Sequence, residues 1–268
     1  MQFLYYIIFM AEEKSIKKTE NEAEKKIEKI EKIEKIKKED NLPKDKEIQE
    51  MFEAGLHFGH HHSKMHPKMK PFIYGKRNGI DIIDFLKTKE YLEKALDFLK
   101  SAKEKNSLIL FVGTKISAKN LIKELAEELK MPYVIERWLG GTLTNFETIS
   151  KRIEYLKEIE AKKEKGELEK YKKKERIKIN QKIEKMERKL GGLKNLTRLP
   201  DLLFVVDVAE EHLAVKEANM KGIPIVGICD TNGDPTSVNY PILANDDAIS
   251  SLKYILNKVK EALKTKNQ

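Results

Sequence analysis

In 268 residues the chain has one cysteine, Cys229, and one tryptophan, Trp138. A single thiol excludes an internal disulfide framework and fits a reducing compartment. The opening MQFLYYIIFM is apolar over only ten residues. That is too short to span a bilayer, and it lacks the basic flank and small-residue cleavage site of a secretory signal. Met10 is followed at once by AEEK. The expectation is therefore that residues 1–9 are a mis-called extension, with a short membrane anchor as the competing expectation.

Catalytic signatures are absent as well. The text contains no G-x-x-x-x-G-K-[ST], no G-x-G-x-x-G after a strand, no G-x-S-x-G and no H-E-x-x-H. FVGTKISAKN follows an apolar run but is not a phosphate loop, and Cys229 sits inside an apolar run as a small core residue. With no nucleophile–base constellation, no catalysis is expected. The alternative is an α/β enzyme or nucleotide-binding protein using strand ends near Thr114 and Asp207, where open α/β sheets hold ligands.

What the chain does have is charge, unevenly placed. The net charge is +9. Residues 11–49 hold 12 lysines and 12 acids, which cancel. Residues 54–80 hold five Lys/Arg and no acid, the nearest upstream being Glu53, and residues 151–190 hold 16 Lys/Arg against nine acids. The remainder is slightly acidic. Two basic blocks on such a body read as footprints for phosphates; a membrane surface would also attract them.

The first block holds five of the six histidines: His57, His60, His61, His62 and His66. Their i, i+3 and i, i+4 spacings raise a structural zinc at His57–His66 as an alternative. Against it, no cysteine lies nearby and three adjacent histidines cannot all face one ion, so no cofactor is expected. The favoured reading has His57 and His60 packing and hydrogen-bonding locally. His61, His62 and His66 then join Lys64, Lys68, Lys70, Lys76 and Arg77 on an RNA-facing surface, interleaved with Phe72 and Tyr74. A solvated basic loop is the bland alternative. ERWLGGTLTNF adds Arg137 and Trp138, two glycines that allow close backbone approach, and Thr142, Thr144 and Asn145 as phosphate donors or helix caps. Equally, this is a loop leading into a helix with Trp138 packed on the core.

Periodicity sets the frame. Residues 12–46 repeat KIEK, with isoleucines every three residues, and predict a solvated, partly helical tail without a fixed partner. A short helix over 46–54 stops at Gly55, and RNG between two apolar runs predicts a hairpin. Continuous apolar runs at 107–113, 203–207 and 222–230, with shorter ones at 132–138 and 240–243, predict strands buried on both faces. Helices are predicted at 86–104, 116–130, 211–221 and 245–263, the last capped by Asn245 or Asp246. This alternation implies an α/β fold with a parallel sheet covered on both faces. Residues 146–190 interrupt it. Ile149, Ile153, Leu156 and Ile159, then Ile179, Ile183, Met186 and Leu190, predict an antiparallel helical hairpin, a coiled-coil insertion that projects into solvent. The domain reading is an extension over 1–46 and an α/β domain over 47–268, interrupted by that hairpin.

These pieces, in order, resemble the ribosomal protein S2 family in its bacterial form. The resemblance rests on MFEAGLHFGH, HPKMKPFIYGKRNGIDIIDFLKT, LFVGTK, MPYVIERWLGGTLTNFETISKRI, LGGLKNLTRLPDLLFVVD, EHLAVKEANMKGIPIVGICDTNGDP and YPILANDDAISSLKYI. It implies a flavodoxin-like parallel sheet with a protruding helical hairpin. It also implies a non-enzymatic, cytoplasmic constituent of the small ribosomal subunit, bound to small-subunit rRNA. The implied protein partners are neighbouring ribosomal proteins, including the large mRNA-binding protein one, with neither a membrane nor a small-molecule substrate. Carried over residue by residue, it places rRNA contact on Lys64 to Arg77, on Arg137 and Trp138, and on Lys151 and Arg152. Where the family reads GHQTRRWNPKM, this chain reads GHHHSKMHPKM, exchanging an aromatic for Met65 and two arginines for Ser63 and Lys64. Lysine cannot make the bidentate phosphate contact of arginine.

Overall fold

A computed structural model describes residues 46–170 and 172–264. The expectations for the Lys/Glu tail and the start codon lie outside the described residues. The chain divides into two units, Met1–Gln49 and Glu50–Gln268, and the architecture below is that of the second.

Helix α1 (Lys46–Ala54) ends at Gly55, whose φ of +76° lies in the left-handed region that closes a helix cheaply only with glycine. Strand β1 (Phe58–His61) follows, then two 3-10 turns over His62–Lys64 and Pro67–Phe72. Strands β2 (Ile73–Arg77) and β3 (Ile80–Ile83) form the hairpin that RNG predicts. Asn78 and Gly79 both take positive φ, 50° and 82°, the turn whose twist matches the flanking strands. The three strands make an antiparallel sheet in the order β1-β3-β2.

The main sheet is parallel, in the order β5-β4-β6-β7-β8: β4 (Ile109–Val112), β5 (Tyr133–Val134), β6 (Leu202–Val206), β7 (Ile225–Cys229) and β8 (Tyr240–Leu243). Counted from β4 this is 2-1-3-4-5, the flavodoxin-like order. Strands β4, β6 and β7 are buried at every position, because helices cover both faces. Alternation of side chains sorts them into two cores. Ile109, Phe111, Phe204, Val206 and Ile228 face α2 (Phe85–Glu104), α3 (Ile116–Leu129) and α7 (Ile249–Leu263) through Leu92, Ile122, Ile255 and others. Leu110, Val112, Leu203, Val205 and Ile225 face α6 (His212–Lys221) and the helices α4 (Phe146–Glu164) and α5 (Lys173–Leu190). Phe204 is fully buried at the sheet's centre, so its truncation to alanine would cost about 3–5 kcal/mol.

Helices α4 and α5 touch one another, and their apolar positions continue the core: Ile149, Ile153, Leu156, Ile183 and Leu190 are buried with Leu143 and Leu193. Ile159, Ile179 and Met186 are only partly buried. Other differences from the expectation are local. The strand predicted over 132–138 shrinks to two residues, because the chain after Val134 leaves the sheet and is held by a carboxylate on α6 described below. The closing helix starts at Ile249 rather than at 245. Asn245 accepts from the backbone N–H groups of Asp247 and Ala248 at 2.8 and 2.9 Å as the chain enters it, whereas Asp246 turns inward.

Candidate nucleic-acid interface

The first basic block is built on a buried anchor. Met69 is fully buried in the 3-10 turn Pro67–Phe72, which pins the loop while Lys64, Lys68, Lys70, Lys76 and Arg77 remain exposed. The histidines separate by role. His57 is buried among the rings of Phe52, Phe58 and Phe85, at centroid distances of 4.8, 4.0 and 4.9 Å, and burial lowers its pKa to about 4. It is a neutral packing residue. His60 lies with Nδ1 3.1 Å from Asp230 and Nε2 3.3 Å from Asp247. The hydrogen bond to Asp230 raises its pKa. His57 thus packs as expected but makes no hydrogen bond through its buried Nδ1, whereas the partners of His60 are distant in sequence rather than local.

The other three histidines divide. His61 is exposed, its Nδ1 accepting from the Ser63 backbone N–H. His62 is exposed at its edge but tied by Nδ1 to buried Asp81 at 2.7 Å. His66 spends Nδ1 on the Lys68 backbone N–H. Lys68 donates to Asp234 and Thr236, both at 2.7 Å. The aromatics also part ways: Phe72 packs edge-on against Tyr91, whereas Tyr74 is 78% exposed on β2.

Trp138 requires a correction. It is only 6% exposed, and its indole N–H donates to Glu217 on α6 at 3.1 Å. It positions its loop and cannot stack on a base. Glu217 is the residue that sequence reading missed. Its two oxygens also accept from the backbone N–H groups of Gly141, Leu143 and Thr144 at 2.8, 3.0 and 3.1 Å, and from the Thr144 hydroxyl at 3.1 Å. Burial favours the neutral acid, but these donors outweigh it and hold the pKa below the ordinary value. Thr142 is buried and donates to the Leu139 carbonyl, so neither threonine hydroxyl is offered to a phosphate. Asn145 makes no side-chain cap. Of the loop's candidates, Arg137, Thr144 and Asn145 are exposed, and Arg137 alone among them carries a charge. On α4, Lys151 and Arg152 are both exposed, Lys151 paired with Glu147 at 2.7 Å.

At the carboxyl ends of the main strands the electrostatics have the opposite sign. Lys115 reaches Asp207, Asp246 and Asp247 at 3.2, 2.6 and 2.5 Å. Asp207, Glu211, Asp230 and Asp246 are all buried there. Burial, then the charges of Asp230 and Asp207, push Asp246 up to about 7. The Thr114 N–H is already given to Glu211 at 2.8 Å. The crevice between β4 and β6, where a flavodoxin-like sheet would hold a phosphate, is therefore filled by the chain's own carboxylates. The His57–His66 ligand set is not assembled. Only His60 of that set, with Asp230 and Asp246, brings ligand atoms within 4.8 Å of one another, close enough to hold a cation.

Comparison with known proteins follows this geometry. The family model described as "Ribosomal protein S2" matches residues 51–265. The small ribosomal subunit protein uS2 of Coprothermobacter proteolyticus is 48% identical over 216 residues, covering 81% of each chain. That of Nitratiruptor sp. is 47% identical over 216 residues, again 81% of each. The uS2 protein of Tolumonas auensis is 46% identical over 218 residues, 81% of this chain and 90% of its own.

Proposed function

Because this chain belongs to the ribosomal protein S2 family, we propose that it is a structural constituent of the small ribosomal subunit. In that role it binds small-subunit rRNA and neighbouring ribosomal proteins in the cytoplasm, and makes or breaks no covalent bond. The observation that carries the reading is the family match over 51–265, which includes both basic blocks. Among the described residues no helix is long and apolar enough to cross a membrane.

The rRNA contacts fall on the exposed cations of the first block, Lys64, Lys70, Lys76 and Arg77, and on Arg137 and Arg152. Their exposure beside a rigid, buried anchor supports this assignment. Lys68 and Lys151 contribute through the surface field, since each is ion-paired to a carboxylate within the chain, and His62 and His66, like His61, have Nδ1 engaged within the chain and stand beside these contacts. Phosphate neutralisation supplies most of the affinity, and shape supplies placement. Helices α4 and α5 form the arm, an antiparallel hairpin reaching beyond the α/β body. Among protein neighbours, the large mRNA-binding protein one is the partner the family resemblance favours.

Sedimentation tests this directly. A tagged chain should travel with small subunits in cell lysate and stay there through a moderate-salt wash. A chain wholly absent from subparticles, or one that turns over a reactant by itself, would refute the reading.

A further inference from the structure

The second basic block contains a feature that its charge count alone does not reveal. Between α4 and α5 lies a groove of about 620 Å³ lined by Arg152 and Tyr155 from α4 and by Lys178, Lys182, Lys185 and Lys189 from α5. Leu139 and Met186 add apolar surface, and no acid is among the lining residues. The four lysines stand at i, i+4, i+7 and i+11, so they form one row along a single helix face, about 16 Å long at ~1.5 Å per residue.

Two lysines near the groove are neutralised by carboxylates, one on the helix α4 and one just past the end of α5. Lys151 pairs with Glu147 at 2.7 Å, and Lys194 pairs with Glu160 and Glu187 at 2.9 and 2.7 Å. In the groove, Arg152, Lys178, Lys185 and Lys189 have no carboxylate within ion-pair distance among the described residues. Lys182 lies 4.7 Å over the Tyr155 ring and donates to its hydroxyl at 3.1 Å. Like charges at i, i+4 repel, so this row destabilises its own helix until an anion lies along it. A single bound ion would not span the row; a chain of phosphates would. The Tyr155 ring, 41% exposed, and the apolar surface beside it suit bases rather than a bare phosphate polymer.

We propose that this groove binds the backbone of a single-stranded or looped RNA segment, with phosphates on the Arg152 and lysine rows and a base against Tyr155 and Met186. The inference rests on the rRNA reading above and deepens it by naming the arm's binding surface. Lys178, Lys182, Lys185 and Lys189 become contact residues that the earlier reading, confined to Lys151 and Arg152, does not include.

The test uses the full chain, transcribed small-subunit rRNA, a short single-stranded RNA and anionic lipid vesicles. A Lys178/Lys182/Lys185/Lys189→Gln variant should lower the salt slope of RNA binding by about 3, the value for four lost single-strand phosphate contacts. Tyr155→Leu should weaken the short RNA about tenfold with the slope unchanged. Circular dichroism checks that each variant folds, and if the quadruple variant does not, Lys182→Gln and Arg152→Gln singly should each lower the slope by just under one. An unchanged slope in the groove variants, with binding lost in a Lys64/Lys70/Lys76→Gln variant, overturns the groove and leaves the rRNA reading standing. Absence of rRNA binding by the unmodified chain overturns both. Groove-dependent binding to vesicles but not to RNA also overturns the proposal, in favour of a membrane surface.

Discussion

Replacing Glu217 by glutamine changes one atom in a buried site. The carboxylate accepts five hydrogen bonds, two at one oxygen from Trp138 and Gly141 and three at the other from Leu143 and Thr144. Glutamine keeps one acceptor oxygen but presents an NH2 where the other was. If the amide oxygen stays toward Trp138 and Gly141, three donors face a donor; with the amide reversed, two do. Hydrogen bonds to a charged group contribute about 1.5–3 kcal/mol each, and an unsatisfied buried donor costs about 1–3 kcal/mol. Water admitted by relaxation of the exposed Gly140 edge would recover part of this. The expected loss is then about 3 kcal/mol, a large share of the ~5–15 kcal/mol that holds a domain folded.

For a domain of this size, that loss lowers Tm by roughly 6–12 °C. The assay is specific, because Trp138 is the only tryptophan in the chain and its fluorescence reports the site itself. Acid should narrow the gap. Glu217 has a folded pKa below its unfolded value, so its contribution is present above the unfolded value and is lost as pH falls through the folded one. The difference between wild type and Glu217→Gln should therefore shrink below about pH 4. A variant melting within about 1 °C of wild type at neutral pH would refute the claim that Glu217 organises the loop.

Other expectations follow from the remaining sites. Lys115→Met should destabilise by about 3–5 kcal/mol by leaving buried carboxylates uncompensated. Because Asp246 is raised to about 7, the protonated acid is favoured by folding and that stabilisation is lost as pH rises through the folded pKa; urea midpoints should show a larger deficit at pH ~8.5 than at pH ~5.5, and equal deficits would count against the cluster. His57→Phe should flatten the acid limb of stability between the ordinary histidine value of 6.5 and about 4, the window in which the unfolded chain alone takes up the proton. Circular-dichroism melts across that window would detect it, and parallel curves for variant and wild type would exclude it. Lys64/Lys70/Lys76→Gln should lower the salt slope of rRNA binding by about 2, while Lys151→Gln should change it little, its charge being already offset by Glu147. Filter binding across a salt series separates the two.

Local chemistry carried a large part of this molecule. The runs LFVVD and IPIVGICD could be read as buried strands because no polar residue interrupts them, and helices on both faces are what such strands require. Asn78-Gly79 announced its turn because few residue pairs take positive φ in succession. The basic loop was visible as charge without acid, and the arm as a surplus of lysine and arginine over acid. Partnerships were not visible. Trp138 looked as suited to a base as to the core, and the deciding residue, Glu217, lies on a helix 79 positions later. His60 showed no acid nearby in sequence, yet Asp230 and Asp247 meet it from the ends of other elements.

Thus the order of strands and helices, the hairpin turn and the family were properties of the sequence, since each depends on residues within a few positions or on the whole pattern taken together. Which histidine faces solvent, which carboxylate is buried against Lys115 and which lysines share a groove were decided by the tertiary structure alone. Parallel strands bring the loop that follows each of them to the same, carboxyl end of the sheet, so residues far apart in the chain become neighbours through topology, and no local spacing encodes that meeting.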